Sequence, residues 1–302
     1  MPAGPVGVGV IHNRALTEAL LAGTLPVDYV EIIPDRYWRD DGPAAEPRFV
    51  DYPDDVALVE RLAARYPLTA HGVGLSIASA SRFDVGHLEQ LARWRDRYGL
   101  RWVSEHLAAV RAGADGTVDV HAGIALPLAW DHELLALLVE RARMAGEILG
   151  QPILLENGTV HTPVPEPDMS EVEFLNRLTA ESGCRLLLDL HNLHVNAVNL
   201  GVDTTAFLTQ LDLTAVDEVH IAGGNELHGV YLDSHAGACP EAVWEMLANV
   251  VPRAPRLKGI TFEFHESYFP ALGVAGVVRE LNRAAAIGKV GNVAVGVPTS
   301  DR

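Results

Sequence analysis

Imidazoles and carboxylates are the side chains best placed for chemistry in this chain of 302 residues, because they recur where short apolar runs end. His12 follows the first such run, Glu31 lies in the second and His71 closes the third. The fourth carries Ser104-Glu105-His106, the fifth Glu156-Asn157 and the sixth Asp189-Leu190-His191-Asn192. His220 sits in the seventh, Asp233-Ser234-His235 follow in its loop, and Glu263 and His265 come with the eighth. Taken singly, a carboxylate at such a position reads as a helix cap and a histidine as a hydrogen-bonded core residue. Together they need another explanation. Crowded carboxylates raise one another's pKa and cost several kcal/mol in a low-dielectric setting unless cations compensate. These motifs hold too few Lys or Arg to do so, and bound divalent metal supplies the charge. A mixed His/carboxylate set suits Fe, Mn or Zn, whereas Mg prefers oxygen alone. One ion takes about four to six donors and roughly ten are on offer, which argues for about two or three bridged ions, with surplus side chains orienting the ligands. With no CxxC pair or clustered cysteines, a structural zinc site or an iron–sulfur cluster is not expected.

The elements that must position these groups show in the hydropathy pattern. The runs at residues 6–11, 29–33, 68–73, 102–107, 153–156, 186–190, 218–221 and 259–264 are short, rich in Val, Ile and Leu, and bounded by polar or Gly residues. That is the pattern of buried strands. Segments with apolar residues three and four apart lie between them, as at 56–66, 88–98, 132–149, 172–180 and 240–248, and predict helices. Pro240 suits a helix start, and Asp203 an N-cap for 204–211. About eight strand–helix repeats with nearly continuous apolar strands predict an α/β fold, a parallel sheet closed into a (β/α)8 TIM barrel, with chemistry at the C-terminal strand ends. The competing doubly wound sheet wants a Gly-rich phosphate turn, and Gly7 and Gly9 of GVGVIHNR do not make GxGxxG. No linker interrupts the pattern, so the expectation is one domain over residues 1–286 and a poorly ordered tail at 287–302.

Composition excludes other classes. The chain is 48% hydrophobic and 21% charged, and reads as globular. Its 23 basic and 40 acidic residues leave a net charge of −17. Such a surface repels phosphate, so neither nucleic acid nor an anionic membrane is an expected partner. No run approaches about 18 apolar residues, and the first five residues lack a basic-then-apolar signal, so the expected location is cytoplasmic. Two cysteines, Cys184 and Cys239, make no disulfide framework. Cys239 follows His235 near the ligand-rich rim but reads as a plain buried or loop thiol, and Cys184 as packing. Arg93 and Arg97, within LARWRDRYGLRW (residues 91–102), read as a solvated helix face, with partner docking as the alternative.

The motifs HGVGLSIAS (71–79), SEHLA (104–108), LLEN (154–157), LLDLHNLHVNAVNLG (187–201), VHIAGG (219–224), DSH (233–235) and FEF (262–264) occur in this order, preceded by VDYVEIIPDRYW (27–38). Through them the chain resembles, over about residues 7–286, the multinuclear non-haem iron-dependent oxidative enzymes. That family was long catalogued as one of unknown function; the methanobactin-biosynthesis enzyme with its small partner subunit is its best-known type. The resemblance implies a barrel holding two or three irons in mixed Fe(II)/Fe(III) states. It also implies O2 as co-substrate, a ribosomally synthesised precursor peptide as substrate, often modified at cysteine, and a small leader-recognition partner protein. Carried over motif by motif, it implies His71, Glu105, Glu156, Asp189, His220, Asp233, His235 and Glu263 as metal ligands, with Asn192 as a ligand or a supporting donor. Glu105, Asp189 and His220 are expected closest to the reaction. His106 and Asn157 directly follow ligands. Because adjacent strand residues face opposite ways, these two are expected to orient the ligands rather than bind; His191, His194 and His265 are further orienting candidates.

Two departures from the family pattern stand out. Gly224 occupies a position where a histidine is common, with His228 as the nearest substitute, and Glu263-Phe264-His265 replaces the usual E-W-D. The rival readings are a Mn- or Zn-dependent sugar-isomerase-like or hydrolytic barrel, and a non-catalytic barrel scaffold. Only Gly224 favours the scaffold.

Overall fold

The computed structural model describes residues 6–80, 83–113 and 120–294. Eight strands form a closed barrel: Gly7–Ile11, Tyr29–Ile32, Leu68–Gly72, Val103–His106, Leu154–Glu156, Arg185–Asp189, Val216–Ala222 and Gly259–Glu263. They are the eight apolar runs, and the architecture is the expected parallel (β/α)8 barrel. Strands such as Leu68–Gly72, Val216–Ala222 and Gly259–Glu263 are buried along their whole length, which is why they lack polar alternation. Helices between them start and stop on readable signals. Val85–Tyr98, His132–Leu149 and Glu171–Ser182 begin on caps from Asp84, Asp131 and Ser170, and end at Gly99, Gly150 and Gly183 in the left-handed conformation. Asp203 caps Thr204–Gln210 as expected, and Pro240 is the residue before Glu241–Val250. No helix among the described residues is long and apolar enough to cross a membrane.

The chain divides into two compact units, Glu31–Leu186, and Met1–Val30 with Leu187–Arg302. In the first, parallel pairing sets His71 opposite Ser104, Gly72 opposite Glu105 and His106 opposite Glu156. In the second, His220 lies opposite Thr261 and Ala222 opposite Glu263. Tyr29 packs where side chains at Gly9 and Gly259 would otherwise be, since a Cβ there would fall 2.3 and 2.4 Å from its ring and hydroxyl. These glycines let the Tyr29 hydroxyl reach Thr261 Oγ1 at 2.7 Å.

Among the described residues, three antiparallel strand pairs were not legible as strands: Trp38–Asp40 with Phe49–Asp51, Ala109–Ala112 with Val120–Leu126, and Asn225–Leu227 with Val230–Leu232. They are short and mostly not buried, so they carry no apolar run. Helix Leu190–Leu200 begins immediately after the sixth strand, leaving no loop to mark it. The expected tail from Ile287 is corrected in part. The helical segment Phe269–Ala294, broken by non-helical backbone at Gly273, runs through Ile287 and Gly288, because buried Ala284 and Gly288 let it pack closely; a Cβ on Gly288 would lie 3.6 Å from the Ile260 side chain. Residues 295–302 of that tail lie outside the described residues.

Candidate metal centre

Within Glu31–Leu186, three side chains from successive barrel strands meet. His71 Nε2 and His106 Nε2 each lie 3.3 Å from Glu156 Oε2, and 3.4 Å from each other. His71 and Glu156 are buried, whereas His106 is 41% exposed and opens the group to solvent. Ser104 anchors His71: its Oγ lies 2.9 Å from His71 Nδ1 and 3.2 Å from the Ala70 carbonyl oxygen. The other ring nitrogen, Nε2, faces the carboxylate oxygen and the second imidazole. Three donor atoms converging at that range could hold a shared cation.

Register reverses the assignment of two neighbours. The strand alternation that puts His106 beside Glu156 puts Glu105 on the other face, beside Gly72 and Leu155. There Glu105 Oε2 accepts from the Leu75 N–H at 3.3 Å, and a Cβ on residue 72 would fall 2.4 Å from it. Burial pushes the Glu105 carboxyl up to about 8, with the charge of Asp35 adding to the shift while His87 and His71 oppose it. Glu105, expected as a ligand and catalytic group, lies outside this cluster, and His106, expected as an orienting residue, lies inside it. Asn157 is buried next to Glu156. A second pair went unread: Asp35 Oδ1 lies 3.0 Å from His87 Nε2, and Asp35 Oδ2 accepts from Val73 N–H at 3.1 Å, tying down the segment that follows His71. Asp35 is held below and His87 above its ordinary value; burial opposes both shifts, and their mutual hydrogen bond and charges outweigh it.

The unit containing Leu187–Arg302 assembles the remaining candidates. His220 Nδ1 lies 3.2 Å from Glu263 Oε1, and its Nε2 3.7 Å from Glu218 Oε1. The other Glu263 oxygen faces His235 Nε2 at 3.5 Å, and that nitrogen is 3.1 Å from Asp233 Oδ1. Asp189 caps helix Leu190–Leu200, its Oδ1 accepting the Asn192 N–H at 2.7 Å. The helix N-terminus favours negative charge there, so Asp189 serves as the cap while remaining a ligand candidate. Asn192 is buried at the same turn. His235 adopts φ 51°, a left-handed conformation that a non-glycine residue holds only when its surroundings impose it. Burial alone would lower the His235 imidazole; the Glu263 and Asp233 carboxylates outweigh it and raise it to about 10. Asp233 shows the converse: despite burial, the His235 charge and the hydrogen bond to His191 hold it well below the carboxylate range.

Other candidates fall elsewhere. His265 is exposed and accepts from Ser267 N–H, while its own N–H donates to the His235 carbonyl at 2.9 Å, so it supports His235 through the backbone only. His194 lines a cavity of about 410 Å³ with Val198, Leu208 and Met246, and packs on Tyr231. His228 sits at the exposed turn of a hairpin, φ 52°, and substitutes for nothing in the group. His12 is buried against Thr17, and Glu31 accepts from Thr69. Both cysteines are buried thiols: burial pushes Cys184 up to about 11 and Cys239 well above its ordinary value. Arg97 reaches Asp51 and Glu60 on a solvated face, and Arg93 reaches Gln90.

The family described as RiPP precursor modification enzyme MbnB/TglH/ChrH matches residues 6–289. A UPF0276 protein of Chromobacterium violaceum is 37% identical over 205 residues, covering 68% of this chain and 72% of that one. The UPF0276 protein Anae109_1558 of an Anaeromyxobacter species is 32% identical over 267 residues, covering 88% and 87%. Endonuclease IV from Thermus thermophilus superposes with a TM-score of 0.57 at 18% identity, over 94% of this chain and 99% of that one, a likeness of fold alone.

Proposed function

The chain belongs to the MbnB/TglH/ChrH family of RiPP precursor modification enzymes, and from that premise we propose that it oxidises a ribosomally made precursor peptide, with O2 as co-substrate, at two or three irons. The observation that carries this reading is the pair of donor groups: His71, His106 and Glu156 in one unit, and Asp189, His220, Asp233, His235 and Glu263 in the other. When bound, iron supplies activation of O2 and Lewis-acid attachment of a substrate thiolate or carboxylate. The chain's own residues prepare the donors. Ser104 holds His71 through Nδ1, the first turn of helix Leu190–Leu200 holds Asp189, and Glu263 ties His220 to His235. Asn192 supports Asp189 through its N–H, and Glu105 braces the segment at Leu75. A small partner that recruits the peptide leader completes the reading.

The test uses anaerobically purified protein with the peptide encoded beside its gene, with and without any small neighbouring gene product. Admission of O2 is expected to give O2 uptake and a mass change in the peptide. Peptide conversion that proceeds equally without O2 would overturn the oxidative reading and favour an isomerase-like or hydrolytic barrel.

A further inference from the structure

Resting on that reading for the metal, we propose that His191 is a positioning residue that sets Asp233 in place beside His235, and that Gly224 serves to give His191 room. His191 lies in the first turn of helix Leu190–Leu200 and is wholly buried. Its Nδ1 is 3.0 Å from Asp233 Oδ1, the oxygen that His235 Nε2 approaches at 3.1 Å. One carboxylate oxygen is thus held between two imidazoles, one from a rigid helix and one from the irregular segment that follows Val230–Leu232. Asp233 belongs to that segment, so nothing in regular secondary structure fixes its side chain; the helix-borne imidazole does.

The far side of the same ring shows what this arrangement costs. His191 Nε2 is buried with no hydrogen-bond partner. Leaving a buried polar atom unsatisfied is unfavourable, and an apolar residue would fill the space without that penalty. What the imidazole supplies in return is an Nδ1–H that can donate to Asp233. The ring is also tightly confined: Tyr231 meets it edge-on with centroids 5.8 Å apart, and a Cβ on Gly224 would sit 2.8 Å from Nε2. That Cβ would also lie 2.4 Å from the Leu232 carbonyl, so a side chain at residue 224 would press on the His191 ring and on the strand leading into Asp233 together.

The donor and the volume of His191 can be separated. His191→Asn keeps an N–H near the place of Nδ1, whereas His191→Leu keeps the bulk and loses the donor. Each is purified anaerobically and compared with wild type for iron content, iron affinity and Mössbauer spectrum, with melting of the metal-free proteins as a folding control. His191→Leu is expected to weaken one iron by about 10- to 100-fold and alter its spectrum, while His191→Asn retains both. Wild-type iron binding in His191→Leu would overturn the proposal, and so would equal loss in the Asn variant, which would make the residue mere packing. Gly224→Ala is expected to weaken the same iron; unchanged binding in it would also contradict the proposal. Wild-type protein that holds no iron would instead bring down the metal reading, and this proposal with it.

Discussion

Two imidazoles meet one carboxylate in Glu31–Leu186, whereas in the unit containing Leu187–Arg302 His220 and His235 are set among Asp189, Asp233 and Glu263. The difference shows around the histidines. His71 is held at Nδ1 by the uncharged Ser104 hydroxyl, while His235 is raised to about 10 by the carboxylates around it. A histidine-rich group tolerates being without a cation; a carboxylate-rich one keeps a proton until a metal takes its place. Metal entering the second group should therefore release protons and bind less well as pH falls. On the proposed reading a harder, more highly charged ion would suit the carboxylates and a softer one the imidazoles.

Substitution of one group at a time is the strongest way to break this comparison. Glu263→Ala removes the carboxylate that faces both His220 and His235, and more than about 100-fold of peptide processing should go with it, since even supporting residues of metal sites are worth 10- to 100-fold. Iron analysis should show iron lost from this variant, and likewise from His71→Ala. Wild-type iron content in either variant would contradict the assignment of that group as donors.

A smaller effect sharpens the account of the first unit. Asp35→Asn breaks a mostly buried pair and should cost on the order of 3 kcal/mol of stability. His87 is raised, so its contribution is complete below about pH 6.5 and is lost as pH rises through its folded value; Asp35 is lowered, so its contribution is present above about pH 3.9 and fades as pH falls through its folded value. The deficit in melting temperature should thus be greatest between those limits. A deficit that grew above pH 8 would contradict the pairing.

Glu105→Gln is milder still. An amide resembles the protonated acid, so iron content should hold within about twofold, whereas His106→Ala should lose an ion. Glu105 sits at about 8, so in metal-free wild type its stabilising protonation is complete below about pH 4.3 and is lost as pH rises through 8. The Gln variant should lose less melting temperature over that range. Smallest of all, Arg93→Glu with Arg97→Glu should cost no more than about 1 kcal/mol and leave processing unchanged, as surface ion pairs do. Lost processing with intact folding would instead mark a docking face.

The barrel was legible because strands buried on both sides leave unbroken apolar runs, and the candidate donors were legible because imidazole and carboxylate recur at the ends of those runs. The fourth strand was less so. Ser104, Glu105 and His106 are all capable of chemistry, and only pairing with Leu154–Glu156 shows that His106 and not Glu105 meets Glu156. Asp35 and His87 pair across an aromatic hairpin that carries no strand-like run. Asp189 read as either cap or ligand because one oxygen does serve as the cap.

The claim on which the rest depends is that these two groups hold metal. Anaerobically purified protein, grown with iron and never exposed to chelator, should carry about two or more irons per chain in two Mössbauer environments, one richer in nitrogen and one richer in oxygen ligands. Fewer than about one iron per chain, with the protein fully folded, would contradict it.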